Sequence, residues 1–144
     1  MKWKVLPLII TLPFVMVACN DNDEPVNDAS IKNDEIMSIV KDYSMVHNNE
    51  TMNVKKGMEL TCEGSSLSNY YKSIWYETGD EIRPAGHIAV NGYGELTQKS
   101  EGRYEMTIDM KRFTNGKSSS FSRTIRVAEG NGEYCIQNDS MITN

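Results

Sequence analysis

The residues able to do covalent or metal chemistry are few: Cys19, Cys62 and Cys135, with His47 and His87. Cysteine and histidine supply nucleophiles, proton shuttles and metal ligands near neutral pH. No Cys-x-x-Cys occurs, so the redox dithiol spacing is absent. Neither histidine lies near a cysteine in sequence, so no Cys–His nucleophile is spelled out. No metal site and no cofactor are predicted from so little material. A glycine-rich phosphate loop, a G-x-S-x-G and an H-E-x-x-H are all missing. Acids are abundant, yet no spacing nominates the two carboxylates of a hydrolase. The expectation is a non-enzyme, with both histidines at surface or turn positions.

The chain has 144 residues and a formal charge of −5, with pI near 5.0. Such a length suits one domain. An acidic balance argues against a nucleic-acid partner, which needs a basic face to meet phosphates. Two bases, Lys2 and Lys4, precede an apolar run from Val5 to Val17. That run is too short to span a bilayer core of about 30 Å, and it has the form of a secretory signal.

The run ends in Met16-Val17-Ala18-Cys19, which resembles the lipobox of bacterial lipoproteins. The resemblance implies cleavage before Cys19, diacylation of its thiol and acylation of its new amino group. Palmitate-type chains would then hold the protein to a membrane through Cys19. From Asn20 to Glu35 there are six acids and one base. So polar a segment cannot bury enough surface to offset its ordering entropy. The predicted organisation is a signal peptide over 1–18, an acidic flexible tether over 19–34 and a single β-rich domain over 35–144. The Asn-Asp-Asn-Asp-Glu run after Cys19 is similar to signals that send some lipoproteins to the outer face of the outer membrane. That localisation, cell-surface exposed, is the expectation.

Export places Cys62 and Cys135 in an oxidising space, where a disulfide can persist. The 73-residue separation would make the bond worth about 4 kcal/mol by loop closure. Two buried free thiols are the alternative. Tyr70, Tyr71, Tyr76 and Tyr93, with Trp75, are aromatic enough to form a candidate binding surface for a protein or a glycan, or else to fill a core. Asp139-Ser140-Met141 resembles an O-glycosylation motif of some surface lipoproteins, and Asn49-Glu50-Thr51 and Asn138-Asp139-Ser140 are formal sequons.

The elements that must carry these residues are read from turns and alternation. Asn91-Gly92, Asn115-Gly116 and Asn131-Gly132 each suit a two-residue hairpin turn. Arg103 to Lys111 alternates, with Tyr104, Met106, Ile108 and Met110 on one face. A turn at Asn115-Gly116 places Met110 opposite Phe121, Met106 opposite Ile125, Tyr104 opposite Val127 and Glu105 opposite Arg126. Ile108 opposite Arg123 is the one poor match. Met58-Leu60-Cys62 and the aromatic run Tyr70 to Tyr76 are predicted as strands. Ile36, Ile39, Val40 and Tyr43 fit a short helical stripe.

Residues 50–136 resemble an immunoglobulin-like domain. Glu50 to Cys62 reads like its first two strands, Trp75 stands where its buried core tryptophan would, and Gly132-Glu133-Tyr134-Cys135 looks like the strand bearing its second cysteine. The resemblance implies a tryptophan packed on an inter-sheet disulfide. The fold-class expectation is therefore all-β, an antiparallel β-sandwich of immunoglobulin-like form. The alternative is a hairpin meander or open barrel with a short N-terminal helix. The functional expectation is a lipid-anchored, non-enzymatic binding or adhesion module of the cell envelope. A small-ligand carrier and a periplasmic inhibitor or immunity-type lipoprotein are the alternatives.

Overall fold

The computed structural model describes residues 28–47, 51–84 and 86–143. Cys19, the signal and lipobox residues, most of the acidic tether and the Asn49 sequon lie outside the described residues. Helix α1 (Asp28–Met45) opens the fold. Residues 29–35 are exposed and burial starts at Ile36, so the helix begins inside the stretch expected as tether while its core contacts begin at the expected domain boundary. Ile36, Val40 and Tyr43 form the buried stripe, at the spacing of one helix face.

Two short helices follow a two-residue strand, β1 (Met52–Asn53). Helix α2 (Val54–Leu60) starts where Asn53 Oδ1 accepts from Lys56 N at 2.8 Å. Helix α3 (Ser66–Thr78) is capped at one end by Ser65, whose Oγ accepts from Ser68 N at 3.0 Å. Gly79 ends it at φ 81°, its N–H donating to Trp75 O at 2.8 Å. Both segments were expected as strands. The three-residue alternation at Met58 to Cys62 is too short to tell period 2 from period 3.6, and Val54 and Gly57 turn out to be the buried pair. In α3 the buried positions are Leu67, Ser68 and Tyr71, with Ile74 half-buried, again one helix face.

A second two-residue strand, β2 (Glu81–Ile82), pairs with β1. The main sheet is antiparallel: β3 (His87–Tyr93), β4 (Thr97–Ser100), β5 (Arg103–Thr114), β6 (Lys117–Gly130) and β7 (Glu133–Asp139). Its order is β3-β5-β6-β7, with β4 also on β5. The β5–β6 register is the one read from alternation, including Met106 opposite Ile125 and Glu105 opposite Arg126. The turns at Asn115-Gly116 and Asn131-Gly132 have positive φ at all four residues, as such turns require. Asn91-Gly92 is not a turn. It lies within β3, at a register shift between Val90 and Gly92.

Helices α1 and α3 pack against β7, and α1 also reaches β6. The core lies between them and the inward residues Tyr104, Met106, Ile108, Met110, Ile125, Val127 and Ile136. This is an α+β fold of three helices and a five-stranded antiparallel sheet, with β1–β2 as a separate pair, which overturns the all-β, immunoglobulin-like sandwich. Nor is Trp75 an inter-sheet tryptophan: it is 38% exposed and donates to Asp80 Oδ1 at 2.7 Å. Cys62 and Cys135 are joined by a disulfide, but it ties the α2–α3 connection to an edge strand. Beside it Thr61 makes a parallel bridge to Ile136, and Cys62 N donates to Ile136 O at 2.9 Å.

Candidate functional site

The poor match on the inner face of β6 carries a charge into the core. Arg123 falls on the apolar side of its strand, between Phe121 and Ile125, and is 1% exposed. Its Nη1 donates to Asp139 Oδ2 at 3.0 Å, and the Asp139 side chain is fully buried at the end of β7. The guanidinium lies 5.4 Å from the centre of the Tyr43 ring. Its Nε and Nη2 have no hydrogen-bond partner among the described residues.

From Asp139 a chain of hydrogen bonds crosses the core. Tyr43 OH, from α1, donates to Asp139 Oδ2 at 2.9 Å. Tyr71 OH, from α3, donates to Tyr43 OH at 3.0 Å. His47 Nε2, just past α1, lies 2.6 Å from Tyr71 OH. Met141 N donates to Asp139 Oδ1 at 3.0 Å and fixes the carboxylate from the other side. The chain thus joins both long helices to β6 and β7.

Counting protons sets the direction of every bond. A carboxylate paired with arginine only accepts, so Tyr43 spends its one hydroxyl proton on Asp139. Tyr43 oxygen must then accept from Tyr71, and Tyr71 oxygen from His47. His47 therefore carries its proton on Nε2, and its Nδ1 is a bare acceptor. Burial, and then the Arg123 charge, lower the His47 pKa to about 3, which keeps the ring neutral. Burial pushes both hydroxyls up, Tyr43 well above the usual tyrosine range, so they remain donors.

His47 lines a cavity of about 200 Å³ with Met52, Pro84, Ile88, Arg112 and Thr114. That cavity shares Pro84 and Thr114 with a shallower groove of about 500 Å³ lined also by Arg83, His87 and Phe113. His87 is stacked on Phe113 at 4.6 Å between ring centres. On the opposite face of β5, Glu105 accepts from Arg126 Nε at 3.0 Å and pairs with Lys99 at 3.3 Å. Those two cations, Arg126 first, hold its carboxyl below the usual range.

The four tyrosines singled out from the sequence do not share a surface. Tyr71 is wholly buried in the chain just described, with Tyr70 against it at 5.3 Å. Tyr76 is 80% exposed beside Trp75. Tyr93 lies on β3 with Lys41 Nζ 6.0 Å from its ring centre. The Asp-Ser-Met motif is absorbed by the fold: Asp139 is the buried anion, and Ser140 Oγ accepts from Thr124 N at 2.8 Å. Asn138 Oδ1 accepts from Asp139 N. Arg112 was not singled out, Tyr43 was read only as part of the helical stripe and Asp139 only within the Asp139-Ser140-Met141 motif and the sequon, and Arg123 appeared only as the poor match to Ile108. Among the described residues no cluster of three His, Cys, Asp or Glu side chains is placed to hold a metal. No helix among them is long and apolar enough to cross a membrane.

No protein-family model matches the chain, and no curated protein is similar to it. Solved structures are. An NTF2-like protein of unknown function from Shewanella oneidensis MR-1 superposes with a TM-score of 0.56 at 11% identity, over 75% of this chain and 96% of that one. An NTF2-like protein involved in plasmid conjugation gives 0.51 at 14% identity, over 79% of this chain and 39% of the other. A chain named as an NTF2 variant with several substitutions gives 0.51 at 14%, over 78% and 98%. Identities this low speak to fold alone. The chain has the NTF2-like α+β fold, an architecture used by enzymes and non-enzymes alike.

Proposed function

We propose that this chain is a lipid-anchored protein of the bacterial cell envelope whose folded unit is a non-enzymatic binding module. The anchor rests on Met16-Val17-Ala18-Cys19 and the acidic residues after it. The exposed first turns of α1 suit a spacer that stiffens before it reaches the domain. The observation that carries the binding reading is how the interior is spent. Its ionisable groups, Arg123, Asp139, Tyr43 and Tyr71, are bonded to one another and buried. Among the described residues the cavity at His47 opens beside them, and it pairs an acceptor with a cation rather than a nucleophile with a base. That cavity also favours a second reading, a carrier of small ligands, over an inhibitor that acts through a large face.

Intact mass of the protein from membranes, with protease treatment of whole cells, tests the proposal. The expected result is a mature chain starting at Cys19 and heavier by its acyl groups, lost from cells on shaving. Cys19→Ala should leave the chain unacylated and unanchored. An unacylated, soluble wild-type chain would overturn the anchor.

A further inference from the structure

The inner face of β5 changes character toward its turn. Its inward positions run Met106, Ile108 and Met110, all buried, and then Arg112 and Thr114. Those two polar residues meet His47, Met52, Pro84 and Ile88 around the 200 Å³ cavity. Arg112 rests 5.2 Å from the centre of the Phe121 ring, which orients its guanidinium without neutralising it. Neither Arg112 nor the nearby Arg83 is paired with a carboxylate among the described residues, and none of the described residues lining the cavity or its groove is acidic.

His47, which lines the same cavity, has the opposite preference. The chain Asp139–Tyr43–Tyr71–His47 fixes the imidazole with its proton turned inward. The remaining ring nitrogen offers a lone pair and no proton. Arg112, which takes negative charge, and His47, which takes a donor, therefore border one cavity. Its volume lies below the roughly 300–1,000 Å³ of drug-sized pockets, so the ligand is small.

We infer that the cavity between His47 and Arg112 binds a small organic carboxylate carrying a hydroxyl donor, with Arg112 holding the carboxylate and His47 Nδ1 accepting from the hydroxyl. The inference rests on the reading of this domain as a binding module and names its ligand class. Tyr71 acts as a positioning residue, since its oxygen takes the Nε2 proton and leaves Nδ1 bare.

The test is a titration of the full chain, ¹⁵N-labelled at histidine, with 3-hydroxybenzoate and 4-hydroxybenzoate, and with benzoate and phenol as comparators. One hydroxybenzoate should move the His47 Nδ1 resonance saturably. Benzoate should bind about tenfold more weakly, the worth of one hydrogen bond near 1.4 kcal/mol. Arg112→Gln should weaken the hydroxybenzoate about tenfold and leave phenol unchanged; Arg112 is exposed, so the variant keeps the fold. Tyr71→Phe should release the tautomer preference of His47. No saturable shift with either hydroxybenzoate, equal binding of benzoate, or indifference to Arg112→Gln would overturn the site. Acylation of Cys19 is read separately, so a failed titration on an anchored protein removes this site and leaves the envelope reading standing.

Discussion

Arg123 and Asp139 form an ion pair at 3.0 Å with both side chains wholly withdrawn from solvent. Their strands enter the core from neighbouring positions in the sheet, and the pair is completed by Tyr43 and the Met141 N–H. Breaking such a pair is expensive because the survivor keeps its charge in a poor solvent. Asp139→Leu should cost about 3–5 kcal/mol in urea unfolding, since Arg123 is left with only the Tyr43 ring. Arg123→Met should cost less, because Asp139 keeps two donors and the orphaned Nε and Nη2 disappear. The double variant should be more stable than Asp139→Leu alone.

Gly57 packs under Tyr71, and a Cβ built there would lie 2.5 Å from Tyr71 Cε1 and 2.7 Å from Cδ1. Alanine gains up to about 1 kcal/mol of helix propensity in α2. Overpacking costs about 1–3 kcal/mol, and the ring cannot swing away without leaving His47 and Tyr43. Gly57→Ala should therefore destabilise, and thermal unfolding reads the sign.

The disulfide closes a separation of 73 residues and fastens the α2–α3 connection to β7. Cys62→Ala combined with Cys135→Ala should lower stability by about 4 kcal/mol. Wild-type protein unfolded with and without reductant should show the same gap.

His47 gives a signed pH dependence. Its pKa is lowered to about 3 in the fold against about 6.5 when unfolded, so the unfolded chain binds more protons between those values. Stability contributed by His47 is complete above pH 6.5 and is lost as pH falls toward 3, at up to about 1.4 kcal/mol per pH unit. His47→Gln should flatten that part of the stability–pH curve relative to wild type.

The β5–β6 hairpin was legible in the sequence because alternation and an Asn-Gly turn agree on one register. The stripe Ile36, Val40, Tyr43 likewise gave a helix, though a shorter one than α1. Helices α2 and α3 were misread because Met58 to Cys62 offers too few residues to fix a period, and because aromatic residues from Tyr70 to Tyr76 favour strands locally. The Ser65 cap and the spacing Leu67, Tyr71, Ile74 were the better signal. Two cysteines, a tryptophan and strand-like flanks made an immunoglobulin-like pattern that tertiary packing does not honour, since Trp75 faces solvent. The buried chain joins residues as much as 96 positions apart, and no local pattern spells that out. The mismatch of Arg123 with Ile108 was its one trace.

The measurement that bears most directly on this account is the ¹⁵N spectrum of the His47 ring from pH 7 down to 4. The account predicts one neutral tautomer throughout, protonated on Nε2, with Nδ1 bare and no titration near 6.5. A ring protonated on Nδ1, or one that titrates near 6.5, would contradict the directed chain from His47 to Asp139 and with it the ligand site built on that chain.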